Sequence, residues 1–269
     1  MTQTLSTQAA QDAAKILVKG RLTGTQGERL PEHCRPTTLE QAFAIQDAVT
    51  ELWCSSQDDS IGGWKCLLPP EGRVIVAPIY TRNIDSIPPV ALWPKGKNSP
   101  DNQIARIEPE FAFFLGQDLP ARDQPYTPAD VDAAISRTHM ALELIHCRYA
   151  QPSQCEFPEM LADCLVNQGL FIGPQVDNQL AANAAEMTIK LQQNGETQSF
   201  NGKHPNGNPR APLYWLAEFL RQRGQGLVAG QAIITGSFAG VFEVPMDTPL
   251  VIDYEGIGQL QVSFNAKRV

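Results

Sequence analysis

Long hydrophobic runs are missing from this sequence: no stretch approaches the roughly 20 apolar residues of a membrane-spanning helix, so no membrane partner is expected. Met1 through Lys19 is polar and amphipathic and lacks the apolar core of a secretory signal, which makes the cytoplasm the expected compartment. Positive charge is also short, with 21 Lys and Arg against 29 Asp and Glu and a formal net charge of −8. A broad positive field for nucleic acid or anionic lipid is thereby excluded, and a small-molecule partner becomes the default. Six cysteines (Cys34, Cys54, Cys66, Cys147, Cys155, Cys164) are too sparse for a disulfide scaffold, and no CxxC pair points to zinc or redox chemistry. The four histidines (His33, His139, His146, His204) have no ligand-like spacing. Repeats and biased segments are absent as well. What is present is an ordinary globular composition, 42% apolar and 19% charged over 269 residues. That is enough for one large domain, or a large domain with a smaller appendage.

Helices come first along the chain and strands later, a mixed class. A helix is expected near Thr7 to Val18, and another after Pro36, where Thr37 and Glu40 have capping-box spacing and Leu39, Phe43, Val49 and Leu52 form a stripe. Gly62-Gly63 then breaks the pattern, Trp64 to Leu68 reads as a short buried strand ending at Pro69-Pro70, and a domain boundary is placed near residue 60. Residues 86–103, with Pro88, Pro89, Pro94, Gly96, Asn98 and Pro100, form a loop-rich connection. Ile107 to Leu115 is strand-like, Thr127-Pro128 with Asp130 opens a helix, and His139 to Tyr149 reads as a further strand. Residues 201–212 are a long turn-rich loop before an amphipathic helix with Leu213, Leu216 and Leu220. In that loop, His204 and Arg210 either contact a substrate or belong to a solvated turn. Ile233 to Val244 and a hairpin of Leu250 to Tyr254 with Gln259 to Phe264 close the chain as strands.

The chemistry concentrates in carboxylates. Residues two apart in a strand share a face, so Glu108 and Glu110 point the same way, about 7 Å apart at their backbones. Pro109 between them cannot donate to a ladder, which suggests an edge or a bulge. Glu143 lies within Met140-Ala-Leu-Glu-Leu-Ile145 and faces an apolar interior. Three converging carboxylates repel one another unless a cation compensates or protons are taken up. Hard oxygen ligands without histidine favour Mg²⁺ or Mn²⁺, allow Ca²⁺ and disfavour zinc. The same spacing also fits a strand with one wet face, with Glu143 paired to Arg106 or Arg148.

The run Arg106-Ile-Glu-Pro-Glu-Phe-Ala-Phe-Phe-Leu-Gly-Gln-Asp-Leu-Pro-Ala121 resembles the metal-binding signature of the fumarylacetoacetate hydrolase superfamily, most of all its 2-hydroxypenta-2,4-dienoate (2-oxopent-4-enoate) hydratase and 4-oxalocrotonate decarboxylase branch. The similarity continues through Ala141-Leu-Glu-Leu144, Leu161-Ala-Asp163 with Asn167, Gly173-Pro174, Leu213-Tyr-Trp-Leu-Ala217, Ile233-Ile-Thr-Gly-Ser237 and Glu255-Gly-Ile-Gly258. The resemblance implies an α+β fold, with a small helical N-terminal region (1–60) and a larger mixed β-roll or sandwich domain (61–269) of the fumarylacetoacetate hydrolase type. It implies a metal triad of Glu108, Glu110 and Glu143, Lys65 in Gly63-Trp-Lys-Cys-Leu67 as the proton carrier, and Thr235, Gly236, Ser237 and Asn167 as substrate contacts. It also implies a homo-oligomer, with a related decarboxylase or hydratase subunit as a further partner.

The expected function is a metal-dependent lyase of aromatic-compound catabolism that hydrates a small 2-hydroxydienoate or 2-oxo acid. Alternatives are decarboxylation of a 2-oxo-enedioate such as 4-oxalocrotonate, C–C hydrolysis of an acylpyruvate, and a non-catalytic 2-oxo acid binding or partner subunit. One departure bears on the choice. Where this branch commonly carries a proton-transfer aspartate in a Pro-Asp-Phe-Gly-like segment, the chain reads Val74-Ile-Val-Ala-Pro78.

Overall fold

The structure, a computed structural model, describes residues 5–96 and 100–268. Residues 97–99 of the expected loop-rich connection therefore lie outside the described residues. Helix α1 (Thr7–Thr23) is capped by Ser6 and ends at Gly24, so it runs five residues past the expected stop. Helix α2 (Leu39–Gln57) takes its cap from Thr38 rather than Thr37. Thr38 is the extended residue before the first turn, and its hydroxyl accepts from the Gln41 amide, while Thr37 donates to the Gln41 side chain.

Strand β1 (Ile61–Cys66) begins earlier than expected and includes both glycines. They sit inside the strand because its neighbours approach closely: a Cβ on Gly63 would lie 2.3 Å from the Ala232 carbonyl oxygen. Four strands follow, β2 (Val76–Tyr80), β3 (Ile84–Asp85), β4 (Val90–Leu92) and the long β5 (Ile104–Leu115). Thr127 and Asp130 then form a capping box with Pro128 at the first position of α3 (Pro128–Ala134). Strand β6 (Ile135–Ile145) starts and stops four residues before the expected strand, and the chain then turns so that the His146 amide meets the Val166 carbonyl. Next come α4 (Phe157–Ala162), β7 (Asn167–Val176), α5 (Asn178–Asn183) and a hairpin, β8 (Glu186–Gln193) with β9 (Glu196–Lys203). Because β9 extends to Lys203, the turn-rich loop is confined to 204–210, ahead of α6 (Ala211–Gln222).

The strand expected over Ile233 to Val244 is instead two, β10 (Ala232–Ile234) and β11 (Phe242–Pro245). Gly236 at φ 119 and Gly240 at φ 71 bend the chain out of the sheet between them. The C-terminal hairpin is β12 (Leu250–Tyr254) with β13 (Gly258–Val262), and β14 (Phe264–Ala266) departs to pair with β4.

The main sheet has the order β2-β1-β10-β5-β6-β7-β3, with β11 also on β5. A second sheet, β13-β12-β8-β9, packs over its centre. The contact is aromatic: Phe111 meets Tyr254 and Phe238 edge-on, at 5.6 and 5.4 Å between ring centroids. Tyr254, fully buried, donates its hydroxyl to the carbonyls of Glu110 and Ala141 and so ties β12 to both strands beneath it. Strand β5 is interior, which corrects the edge position expected from Pro109. On one side it pairs with β6 throughout; on the other it meets β11 over Ile104–Ile107 and β10 over Ala112–Phe114. Pro109 lies in the interval between those two partners. Its carbonyl faces that interval and accepts from the Phe238 amide, and the missing N–H leaves no donor unsatisfied there.

Candidate metal centre

Strand pairing sets the centre. Glu108 lies directly opposite Glu143 on β6, so two side chains share one face, and Glu110 joins them two residues along β5. One carboxylate oxygen from each of the three lies within 4.8 Å of the others, a cluster able to hold an ion. Lys65 arrives from β1, and its ammonium donates to Glu143 Oε1 at 2.7 Å and to the Leu165 carbonyl at 3.3 Å. The pairing of Glu143 with Arg106 or Arg148 does not occur: Arg106 faces Glu243 and Arg148 binds Asp163.

Charge is unbalanced here. Three carboxylates meet one ammonium, and Glu143 Oε2 is buried with no hydrogen-bond partner among the described residues. Burial first, then the charge of Glu143, pushes the Glu108 carboxyl up to about 7. Burial also lifts Glu110 well above the carboxylate range, reinforced by Glu143 and Glu108. Burial disfavours the Lys65 ammonium, yet Glu143, Glu108 and Glu110 outweigh it and raise its pKa, so the amine rests protonated. Three hard oxygen donors, an orphaned carboxylate oxygen and no histidine fit a divalent cation such as Mg²⁺, Mn²⁺ or Ca²⁺.

The carboxylates and Lys65 line a cavity of about 340 Å³, together with Cys66, Leu67, Ile75, Leu165, Pro205, Gly236, Ser237 and Gly240. Size alone does not mark it, since a groove of about 480 Å³ over β8, β9 and β11 has only Glu196 and Glu243 as charged residues. Of the four expected substrate contacts, the fold brings Gly236 and Ser237 to this cavity and not the other two. The Gly236 amide donates to Glu110 Oε2 at 2.6 Å, and a Cβ there would lie 2.5 Å from Leu67 Cδ2. The Ser237 hydroxyl donates to the Gly240 carbonyl and holds the bend. Thr235 is buried, and its carbonyl accepts from His204 Nε2 at 2.9 Å. Asn167 is buried behind the cavity, donating to Glu143 Oε1 at 2.9 Å.

His204 and Arg210 are both buried and neither lines the cavity. Burial drives the His204 pKa down to about 4, so the neutral ring accepts from the Asn206 amide and braces the strand end beside Gly236. Arg210 binds Asp132 and the Asn178 carbonyl. Sequence reasoning missed Leu165. Its carbonyl reaches Lys65 only because Cys164, Leu165 and Val166 hold φ values of 53, 51 and 61, three successive left-handed residues without a glycine. Each costs roughly 1–2 kcal/mol, and nothing in their side chains announces it.

The structure superposes on 4-oxalocrotonate decarboxylase from Pseudomonas putida G7, solved with magnesium and adipate, with a TM-score of 0.77 over 98% of this chain and 100% of that one, at 17% identity. A fumarylacetoacetate hydrolase family protein from Yersinia pestis CO92 matches with a TM-score of 0.53 over 77% of this chain and 94% of that one, at 18% identity. In sequence, 163 residues are 28% identical to the 2-keto-4-pentenoate hydratase of Paraburkholderia phymatum. The sequence is thus similar to curated 2-keto-4-pentenoate hydratases, and the fold is shared with 4-oxalocrotonate decarboxylase and a fumarylacetoacetate hydrolase family protein. The sequence match spans 60% of this chain and 60% of the hydratase's length. No family model matches the sequence. The α+β fold expected from the sequence is the one observed. Among the described residues, no helix is long and apolar enough to cross a membrane.

Proposed function

We propose that this chain is a metal-dependent lyase for a small 2-hydroxydienoate or 2-oxo acid, with hydration of a 2-oxopent-4-enoate-type substrate as its leading reaction. The observation that carries the reading is the convergence of Glu108, Glu110 and Glu143 on one point beside a single buried lysine. Mg²⁺ or Mn²⁺ held by these carboxylates would supply a Lewis acid toward the substrate's carboxylate and 2-oxo oxygens. The protein does the rest. Gly236 fixes Glu110, Asn167 fixes Glu143, and the apolar side chains of Leu67, Ile75, Leu165 and Pro205 exclude water from the carbon chain. Lys65, held against Glu143, would carry the proton from the substrate's 2-hydroxyl to the far end of the conjugated chain, and water would then add across the remaining double bond, its hydroxyl going to one carbon and its proton to the other. Sequence similarity to a hydratase supports water addition as the net outcome.

Decarboxylation of a 2-oxo-enedioate is a second reading, favoured by one observation. Ile75 lines the cavity from the segment where the branch commonly carries an aspartate, and among the described residues the lining offers Lys65 no acidic or histidine neighbour beyond the triad. Loss of CO₂ needs one proton delivered to carbon and no activated water. A homo-oligomer, alone or with a related hydratase or decarboxylase subunit, belongs to the same reading, and sedimentation checks it.

The test follows the dienoate chromophore. Purified protein with Mg²⁺ should bleach 2-hydroxypenta-2,4-dienoate, with one water in the product; CO₂ released from 2-oxohex-3-enedioate instead selects the second reading. No turnover of either, together with no metal uptake, would sink the proposal.

A further inference from the structure

Lys65 has two acceptors, and both are set by the same five residues. Asp163–Asn167 forms the turn in which Cys164, Leu165 and Val166 are all left-handed. At its middle, the Leu165 carbonyl receives the Lys65 ammonium. At its end, the Asn167 amide holds Glu143 Oε1, the oxygen that Lys65 also binds. Left-handed conformation is costly for ordinary residues, most of all for β-branched Val166, so something must impose it.

Two guanidiniums meet the turn: Arg21 donates through Nη2 to the Asp163 carbonyl at 3.4 Å, and Arg148 spans both ends. Arg148, 3% exposed and absent from the cavity lining, donates through Nε to Asp163 Oδ1 at 2.5 Å and through Nη2 to the Asp163 carbonyl. Through Nη1 it donates to the Asn167 carbonyl at 3.0 Å and to the His146 carbonyl. Its own amide donates to Asp163 Oδ2. A single planar fork thus closes both ends of the turn onto the loop after β6, the strand that carries Glu143.

We propose that Arg148 is a positioning residue for the acid–base lysine: it locks the Asp163–Asn167 turn in its left-handed form and thereby fixes the Leu165 carbonyl and Glu143 that aim the Lys65 ammonium. This inference rests on the reading of Lys65 as proton carrier and adds a device that acts without touching substrate or metal.

Arg148→Lys keeps a charge opposite Asp163 but cannot bridge the turn. With circular dichroism confirming the fold, its kcat on the dienoate should fall by about tenfold or more. KM should stay within about threefold, and Mn²⁺ affinity by calorimetry should fall far less than kcat, because the pairing of β5 with β6 still holds the three carboxylates together. Adding Val166→Gly to that variant should return several-fold of the lost kcat, because glycine enters the left-handed region freely. Should Arg148→Lys not fold, Arg148→Met with Asp163→Leu replaces the ion pair by apolar side chains and is expected to show the same kcat loss. An unimpaired kcat, a parallel loss of Mn²⁺ affinity, or no recovery on adding Val166→Gly each overturns the proposal. Lys65→Ala measured alongside separates the two levels. If it is inactive while Arg148→Lys is unimpaired, only the positioning role is wrong; if it runs at the parent rate, the acid–base reading falls and this inference with it.

Discussion

Two buried acidic regions lie within one chain of contacts, and they are built on opposite rules. Around α4, the two buried carboxylates are each answered by a cation. Asp163 is bound by Arg148, and Glu159 accepts from Arg29 Nε and Nη2 with Arg35 at 3.8 Å. On β5 and β6, three glutamates share Lys65, and Glu143 Oε2 has no hydrogen-bond partner among the described residues unless a neighbouring carboxyl is protonated. The first arrangement holds a fold together. In the second, excess negative charge is tolerated only by taking up protons or a cation, and that is what distinguishes a site from a scaffold.

The contrast breaks first at Lys65. Lys65→Ala should lower turnover by about 10²–10⁴-fold while divalent affinity holds or rises, since a competing cation has gone; steady-state kinetics and calorimetry read both. Glu143→Gln should weaken Mg²⁺ or Mn²⁺ binding by about 100-fold, yet leave thermal stability nearly unchanged or higher, because a repelling charge is removed. Equal stability losses there and at α4 would erase the distinction. Asp163→Asn strands a guanidinium in the interior and should cost about 3–5 kcal/mol in chemical unfolding, with metal affinity kept. Gly236→Ala must move Leu67 and Pro205 and adopt a disfavoured φ, and a loss of about 1–3 kcal/mol with weaker divalent binding is expected.

The smallest effect is with pH. Glu108 has its carboxyl raised from the ordinary 4.5 to about 7, so the folded metal-free protein favours the protonated form. Stabilisation from this group is therefore complete below the ordinary value and is lost as pH climbs through about 7. Divalent ions must displace that proton, so apparent affinity should strengthen over the same window, with proton release seen as buffer-dependent heats. Affinity that is flat across it would show that Glu108 is already ionised.

Much of the site could be read before the fold was known, because it rests on strand alternation and on residue type. Glu108, Glu110 and Glu143 are legible as one face with an apolar surround, and Lys65 by its place after two glycines. Gly236 and Ser237 line the cavity. Thr235 and Asn167 are buried off the cavity, with the Asn167 amide spent on Glu143, and spacing carries no information about that. The capping box of α3 was plain in Thr127-Pro128 and Asp130, whereas the cap of α2 slipped by one between two adjacent threonines. Leu165 was invisible, since a main-chain carbonyl offers no letter to read. Pro109 pointed correctly to a missing partner but not to its cause, which lies 125 residues later where β10 gives out at Ile234.

That interruption has a consequence for how such a protein can change. Gly236, Ser237 and Gly240, all on the detour between Ile234 and Phe242, form one wall of the opening above the glutamates, and none of the acids belongs to that stretch. Lengthening or shortening that excursion would resize the mouth for a different guest while the anchoring oxygens stay where two paired strands have put them. Appetite and chemistry are thereby written on separate stretches of chain, and one can be revised without redrafting the other.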